Sequence, residues 1–149
     1  MQGGVFVELW PIQDRFRARL EILHGVRNDD GLMANLSADW VQKIGRFTLS
    51  GGPRLTIVDH QDMRHRFGIA DADAASSIYS AYNPKAGVRS VGLGLAQTYT
   101  FSDTWAGTLY EHYDRLVGPA SVSPLVRNGG TRNQFTFGAG LYYTFNFGW

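Results

Sequence analysis

The sequence contains no cysteine and no long apolar run, and each absence excludes a class of protein. Without cysteine there is neither a disulfide framework nor a thiolate metal site. No stretch approaches the roughly 18 consecutive apolar residues of a membrane-spanning helix. Charged residues make up only 18% of the 149 residues, below the roughly 25% of a typical soluble domain. The net charge of +1 gives no indication of nucleic-acid binding, and we expect no cofactor.

Residues 134–149 alternate strictly between two kinds of side chain. The odd positions are apolar or aromatic, and the even positions are mostly polar or small. A period of two predicts a strand with one apolar face. The length of this strand and the aromatic residue at its end are typical of an outer-membrane β-barrel, where the apolar face contacts lipid.

The same alternation recurs along the chain, at residues 3–10, 14–27, 32–41, 46–59, 88–101 and 104–116. We therefore predict an all-β fold, an antiparallel transmembrane β-barrel of about seven to eight strands, with residues 1–149 in one domain. Bacterial single-chain barrels have even strand numbers, and the chain enters a strand without a signal-peptide pattern. We expect an N-terminally truncated part of a larger barrel. The alternative is an eighth strand hidden in the long loop.

The connections between strands fall into a short set and a long set. The short ones, at 11–13, 42–45 and 102–103, are typical of periplasmic turns, whereas 28–31, 60–87 and 118–131 are typical of outer loops. The four tryptophans lie next to the short set, and indole favours the membrane interface. The predicted aromatic girdle consists of Trp10, Trp40, Phe101 and Trp105.

The outer loop 60–87 has the composition of an ordered segment. Asp71 and Asp73 open a short stretch that predicts a capped helix. These carboxylates also suggest calcium, but the EF-hand pattern fails at Ala75 and Ser76, so we favour capping and expect no metal.

Charges alternate with apolar residues at the start of the second strand. Arg15, Arg17, Arg19 and Glu21 share one face, which we assign to the lumen together with Glu8 and Asp39. One interpretation is a cationic constriction that selects anions, and the other is a plug of salt bridges that fills a small barrel. The second is favoured, and both remain open.

An enzyme is the weaker functional class. His60, His65, Ser76 and Ser77 share the long loop, and His112 lies beside two carboxylates, but no nucleophile-elbow pattern surrounds either serine. A soluble lipocalin-like binding barrel is a further alternative. It would expose charges rather than the apolar faces found here.

Several segments in collinear order resemble the MltA-interacting protein/OmpV family of outer-membrane proteins. They are residues 48–57 (TLSGGPRLTI), 67–69, 74–82, 86–89, 115–118, 123–124 and 141–145. The resemblance covers roughly residues 32–149 and is that of the C-terminal part of the family, with a weaker start.

The resemblance implies a location and a role. It implies a bacterial outer-membrane protein without catalytic residues, a scaffold between a lytic transglycosylase and a murein synthase. It also implies a C-terminal signal for the barrel-assembly machinery, formed by Tyr143, Phe145, Phe147 and Trp149. A passive small-solute pore and a surface adhesin remain alternative functions.

Overall fold

Seven strands form one antiparallel sheet in the computed structural model, which describes residues 2–25 and 31–145. In chain order they are β1 (Gln2–Ile12), β2 (Phe16–Gly25), β3 (Leu32–Ile44), β4 (Phe47–Val58), β5 (Gly87–Thr100), β6 (Trp105–Leu116) and β7 (Asn133–Tyr143). Each strand pairs with the next, so the prediction of an all-β antiparallel fold is confirmed. Within the described residues β1 pairs only with β2 and β7 only with β6, and the sheet is not closed.

The last strand is shorter than the alternation predicts. β7 ends at Tyr143, which pairs with Trp105, the first residue of β6. Because the partner strand begins there, the ladder ends, and Thr144 follows it with a hydrogen bond to the Thr104 carbonyl (2.8 Å). The prediction of a strand continuing through Phe145 is therefore wrong. Its remainder, residues 146–149, lies outside the described residues.

Short turns join the strands at one end of the sheet, which we call the short-turn end. They comprise residues 13–15, 45–46 and 101–104. Asp14 and Gly45 each have a φ of 60°, the left-handed conformation that reverses a chain tightly. The turn predicted at 42–45 begins later, because Lys43 still pairs with Thr48 and thereby extends β3.

The opposite end, which we call the loop end, carries the helices. The segment between β4 and β5 holds α1 (His60–Phe67) and α2 (Asp71–Ala75), and the segment between β6 and β7 holds α3 (Gly118–Val122) and α4 (Pro124–Asn128). Only the helix at α2 is predicted from the sequence. No helix within residues 2–25 and 31–145 is long and apolar enough to cross a membrane.

α1 has a side-chain cap, whereas α2 lacks the one that was predicted. Asp59 caps α1, since its carboxylate accepts a hydrogen bond from the backbone N–H of Asp62 (2.8 Å). The residue preceding α2 is Ala70, and no side chain caps this helix. Asp71 and Asp73 lie inside α2, so the prediction that they cap it is wrong.

A small apolar core joins the helices to the sheet at the loop end. It consists of buried residues from β4, β6, α1, α3 and α4: Val58, Met63, Phe67, Leu116, Ala120 and Val126. The buried Ser123 hydroxyl donates a hydrogen bond to the Phe67 carbonyl (2.8 Å). The Tyr82 hydroxyl donates one to the Pro119 carbonyl (2.7 Å), and burial raises the pKa of Tyr82 above its ordinary 10.0. The two long loops are therefore packed against each other.

Asp59 and Asp71 provide a matched test of helix capping at the loop end. Asp59→Ala removes the only side-chain acceptor at the start of α1 among the described residues, and we expect it to destabilise α1 by about 1 kcal/mol. Asp71→Ala removes no cap, so its effect should stay near zero. Amide hydrogen exchange of α1 measures both. Equal exchange rates in the two variants would contradict the capping role.

Candidate functional site

The register of the strands separates apolar from polar side chains on the two faces of the sheet. One row across four strands holds only apolar side chains: Leu20, Leu36, Leu55 and Val91. The neighbouring row on the other face contains Arg19, Ser37 and Arg54. Side chains alternate between the two faces along each strand, so residues that are paired across neighbouring strands lie on the same face. We call these the apolar face and the polar face.

Burial is inverted relative to a soluble protein. On the apolar face Leu93 is 60% exposed and Phe137 is 70% exposed, whereas on the polar face Asp39 is 2% exposed and Ser90 is 3% exposed. Water-soluble folds bury apolar side chains and almost never bury an aspartate completely unless it is paired. The polar face is thus the interior of this molecule.

The helices lie on that interior side. Val58 and Leu116 belong to the polar face, through the pairs Met33–Val58 and Ser90–Leu116, and both are buried against the helices. The helices therefore cover the loop end of the polar face and leave the apolar face bare.

Asp39 is the centre of the charges on the polar face. Its Oδ2 accepts a hydrogen bond from Arg17 Nη2 (2.8 Å), and its Oδ1 lies 2.6 Å from Arg54 Nη2. The register explains the first contact, since Arg17 and Asp39 are directly paired across β2 and β3. Glu8 approaches Arg17 from β1 at 3.9 Å. We call these four residues the Asp39 cluster.

Gly94 on β5 makes room for the cluster. A Cβ at Gly94 would lie 2.7–2.8 Å from the guanidinium of Arg54, which is closer than real contacts allow. The sequence places Arg54 on the polar side of its strand, but its contact with Asp39 became visible only with the register of β3 and β4. Arg54 is therefore a member of the site that the sequence analysis missed.

A second group of polar contacts runs beside the cluster. Arg19 Nη2 donates to Glu21 Oε1 (2.9 Å), and Asn35 Nδ2 donates to the other Glu21 oxygen (3.3 Å). Thr56 Oγ1 in turn donates to Asn35 Oδ1 (3.0 Å). The Arg19 guanidinium also lies 4.0 Å from the centroid of the Phe6 ring, a cation–π distance.

Arg15 is separated from the other three predicted lumen charges. The structure brings Arg17, Arg19 and Glu21 together on the polar face. Arg15 lies in the turn 13–15 and is exposed, and its carbonyl accepts a hydrogen bond from the Val41 N–H (2.7 Å). The alternation that linked these residues ends where β2 begins.

These side chains line a cavity of about 380 Å³ on the polar face. Within it Arg17 and Arg54 contact Asp39, and Arg19 contacts Glu21. The guanidinium groups therefore neutralise carboxylates, which fits the salt-bridge plug better than a free cationic constriction. Within the described ranges no cluster of three or more histidine, aspartate or glutamate side chains could hold a metal ion.

A further ion-pair group lies where the helices meet the sheet, and the sequence analysis missed it too. Asp62 is buried, and it contacts Arg66 Nε at 2.9 Å and Arg89 Nη1 at 3.5 Å. Arg89 occupies a register irregularity in β5, between the pairs Thr56–Ser90 and Ile57–Val88. That irregularity has no clear signal in the sequence.

The predicted aromatic girdle divides between the two faces. Trp40 and Trp105 pair with apolar-face residues near the short-turn end, and the Phe101 ring lies 5.1 Å from Tyr99. Trp10 is on the polar face instead, where its indole N–H donates to Glu8 (3.1 Å). Its ring also lies 5.9 Å from the guanidinium carbon of Arg17, a neighbour in the Asp39 cluster.

The predicted C-terminal signal is described only in part. The Tyr143 ring contacts Trp105 (4.8 Å between centroids) and Phe145 (4.4 Å). These rings lie next to Trp105, so they add to the aromatic side chains at the short-turn end. Phe147 and Trp149 lie outside the described residues.

The amino-acid sequence matches a known protein family over nearly its whole length. The family described as MltA-interacting protein MipA matches residues 1–145. The chain belongs to this MipA family. The match includes residues 1–31, where the resemblance in the sequence was weaker, so it covers nearly the whole chain. Comparisons with curated proteins and with solved structures gave no match.

The residues considered for catalysis are dispersed in this MipA-family structure. His112 and Asp114 lie on the polar face, but Glu111 lies on the apolar face. In the long loop, the Ser76 hydroxyl donates to the Asp73 carbonyl (3.2 Å), and His60 contacts Asn83 (3.1 Å). These contacts are local and do not form a nucleophile–base pair.

The glycine beside Arg54 provides a test of the Asp39 cluster. Gly94→Ala would push the Arg54 guanidinium away from Asp39, and we expect a loss of about 1–3 kcal/mol in unfolding free energy. Gly3→Ala is the matched control, because a Cβ at Gly3 meets nothing within 4 Å. Denaturant titration of both variants, refolded in lipid vesicles, measures the difference. A loss of equal size in the control would point to a general effect of removing glycine from strands.

Proposed function

We propose that this MipA-family chain forms part or all of an outer-membrane β-barrel and acts there as a scaffold for murein-synthesising and lytic enzymes. The family is linked to the cell envelope and is named for an interaction with MltA, a lytic transglycosylase. The proposal therefore has two parts, a location in the membrane and a partner.

The exposure of apolar side chains and the burial of polar ones support the membrane location. A sheet that exposes leucine and phenylalanine on one face, and buries aspartate, serine and threonine on the other, is matched to a solvent of hydrocarbon. In water, an exposed apolar surface of this extent leads to aggregation. A soluble lipocalin-like barrel would have the opposite arrangement, with its apolar face around the ligand.

The aromatic residues at the short-turn end support an orientation. Trp40, Phe101 and Trp105 lie beside the turns. In outer-membrane barrels, aromatic rings near the strand ends lie at the level of the lipid headgroups. Outer-membrane barrels have short turns on the periplasmic side, so the short-turn end faces the periplasm and the helices face outward.

The scaffold contact follows from this orientation. A lytic transglycosylase acts on periplasmic murein, so the surface within its reach is the short-turn end. That surface includes the exposed ion pair of Asp14 with Lys43 (3.2 Å) and the neighbouring Arg46. The ion pairs inside the cavity favour this role over that of a passive pore.

Refolding the chain into vesicles of phosphatidylethanolamine and phosphatidylglycerol tests the location. We expect an unheated sample to migrate differently from a boiled sample on an SDS gel, as folded barrels do, and the chain to float with the vesicles. A chain that stays aggregated or water-soluble, with no such shift, would overturn the membrane location.

Binding of a purified MltA-type transglycosylase to the same vesicles tests the partner. We expect Asp14→Lys, which reverses a charge at the short-turn end, to lower binding several-fold. Asp73→Lys reverses an exposed charge at the loop end and should leave binding unchanged. Absence of binding by the folded, vesicle-inserted chain would overturn the scaffold role alone.

A further inference from the structure

One carboxylate interrupts the apolar face. Glu111 lies in the middle of β6 and pairs with Leu95 on one side and Phe137 on the other. It is the one acidic residue on that face within the described residues, where the basic residues, His24 and Arg115, lie near strand ends. Its side chain is exposed and has no ion-pair or hydrogen-bond partner in the described part of the chain.

A second polar side chain lies diagonally across from it. Gln97 pairs with Leu109, two residues along each strand from the pair of Leu95 with Glu111. Gln97 is exposed on the same face, and its amide group likewise has no partner among the residues described. A depression of about 480 Å³ beside Glu111 is otherwise lined mainly by apolar and aromatic side chains of β5, β6 and β7. The two polar groups thus form an isolated pair in apolar surroundings.

In a lipid environment both groups require a partner. Ionisable and amide side chains facing hydrocarbon are costly and usually hydrogen-bond to another transmembrane element. A carboxyl group accepts the N–H donors of a carboxamide, and the two side chains are therefore complementary. A two-fold axis that passes between the two side chains would bring Glu111 of each copy against Gln97 of the other.

We infer that Glu111 and Gln97 form the centre of a contact between two copies of this chain, and this inference rests on the proposed membrane location. A second copy would supply a hydrogen-bond partner for both side chains at once. No residue type beyond the two already on this face is needed. The axis also brings Leu109 of the two copies close together, since it lies beside both polar groups.

Cysteine crosslinking tests the contact, because the natural chain contains no cysteine. Leu109→Cys is refolded into the phosphatidylethanolamine and phosphatidylglycerol vesicles at low protein-to-lipid ratio and oxidised. We expect a covalent dimer. Leu36→Cys, on the same face but three strands away on β3, is the control and should remain monomeric.

The polar pair is then altered in the Leu109→Cys background. Glu111→Leu or Gln97→Leu should weaken dimerisation about tenfold, because two reciprocal hydrogen-bonded contacts are lost. Glu111→Gln keeps a hydrogen-bonding group and should retain the dimer. Because leucine suits the lipid-facing surface, the Glu111→Leu chain should still show the SDS-gel shift of a folded barrel.

The gel shift distinguishes the two levels of the proposal. In one outcome, the chain shows the gel shift and inserts into vesicles while Leu109→Cys crosslinks no better than Leu36→Cys. That result would overturn the dimer contact and leave the membrane location standing. Crosslinking that persists unchanged in Glu111→Leu would also overturn it. A chain without any shift or insertion would overturn the membrane location and the dimer contact together.

Discussion

Leu36→Arg should destabilise the vesicle-inserted protein by about 2–4 kcal/mol, the range for arginine near the middle of the lipid-facing surface of a barrel. Leu36 lies on the apolar face between Leu20 and Leu55, with no acidic residue opposite it on either neighbouring strand. A guanidinium there loses its hydration without gaining a partner. Denaturant unfolding in vesicles, followed by tryptophan fluorescence and the SDS-gel shift, measures the change.

Two control variants separate this effect from a loss of packing. Leu36→Met keeps the side-chain volume and should cost less than about 1.5 kcal/mol. Gln42→Arg places the same charge on the same face but near the short-turn end, where about 0–1 kcal/mol is expected. If the apolar face were in contact with water, Leu36→Arg would have little effect or would increase solubility. That outcome would contradict the proposed membrane location.

Asp39→Ala should lower the unfolding free energy by about 2–3 kcal/mol. The substitution leaves the guanidiniums of Arg17 and Arg54 without their shared carboxylate in the interior of the sheet. Removing one partner of a buried ion pair typically costs about 3–5 kcal/mol, and the partial exposure of both arginines reduces that value. The same unfolding measurement in vesicles gives the loss.

Asp14→Asn is the matched control for the cluster. It removes the negative charge from the exposed pair with Lys43 and keeps a side chain that suits the left-handed backbone of this turn, so an effect below about 1 kcal/mol is expected. Asp39→Ala combined with Arg54→Leu should recover part of the loss, because one unpaired guanidinium is then removed. Similar losses for Asp39→Ala and Asp14→Asn would show that Asp39 contributes no more than a surface ion pair.

Most strand positions could be predicted because the signal for them is local. A period of two in the side chains defines a strand and its two faces without knowledge of its neighbours, and the predicted strands agree with β1–β6 to within three residues at each end that the structure describes. β7 was overextended because alternation continues past Tyr143, whereas a strand also requires a partner, and β6 begins at Trp105.

The loop end could not be predicted in the same way. α1 is short and its stability depends on the Asp59 cap and on contacts of Met63 and Phe67 with α3, α4 and the sheet. Such contacts come from distant parts of the chain and leave little local periodicity. The predicted caps of α2 failed for a related reason, since an aspartate is equally compatible with a cap and with the first turn of a helix.

The candidate site was only partly visible in the sequence. Alternation placed Arg17, Arg19 and Glu21 on one face, and the structure brings them together there. It also grouped Arg15 with them, although that residue lies in a turn. Trp10 shares the alternation of Glu8, but proximity to a turn suggested a lipid-facing position for a side chain that the structure places beside Arg17.

Most of the strands, their two faces and the approximate places of the short turns can be derived from the amino-acid sequence alone, because they follow from neighbouring residues and from the backbone geometry of a few turn positions. Which charges meet depends on the tertiary structure. Arg54 reaches Asp39 because the register of β3 with β4 sets it opposite Ser37, two residues from Asp39 on the same face, and because Gly94 leaves space on β5. Asp62 meets Arg89 because α1 packs onto the sheet. Contacts between residues far apart in the chain depend on strand register and helix packing, which alternation within one strand does not encode.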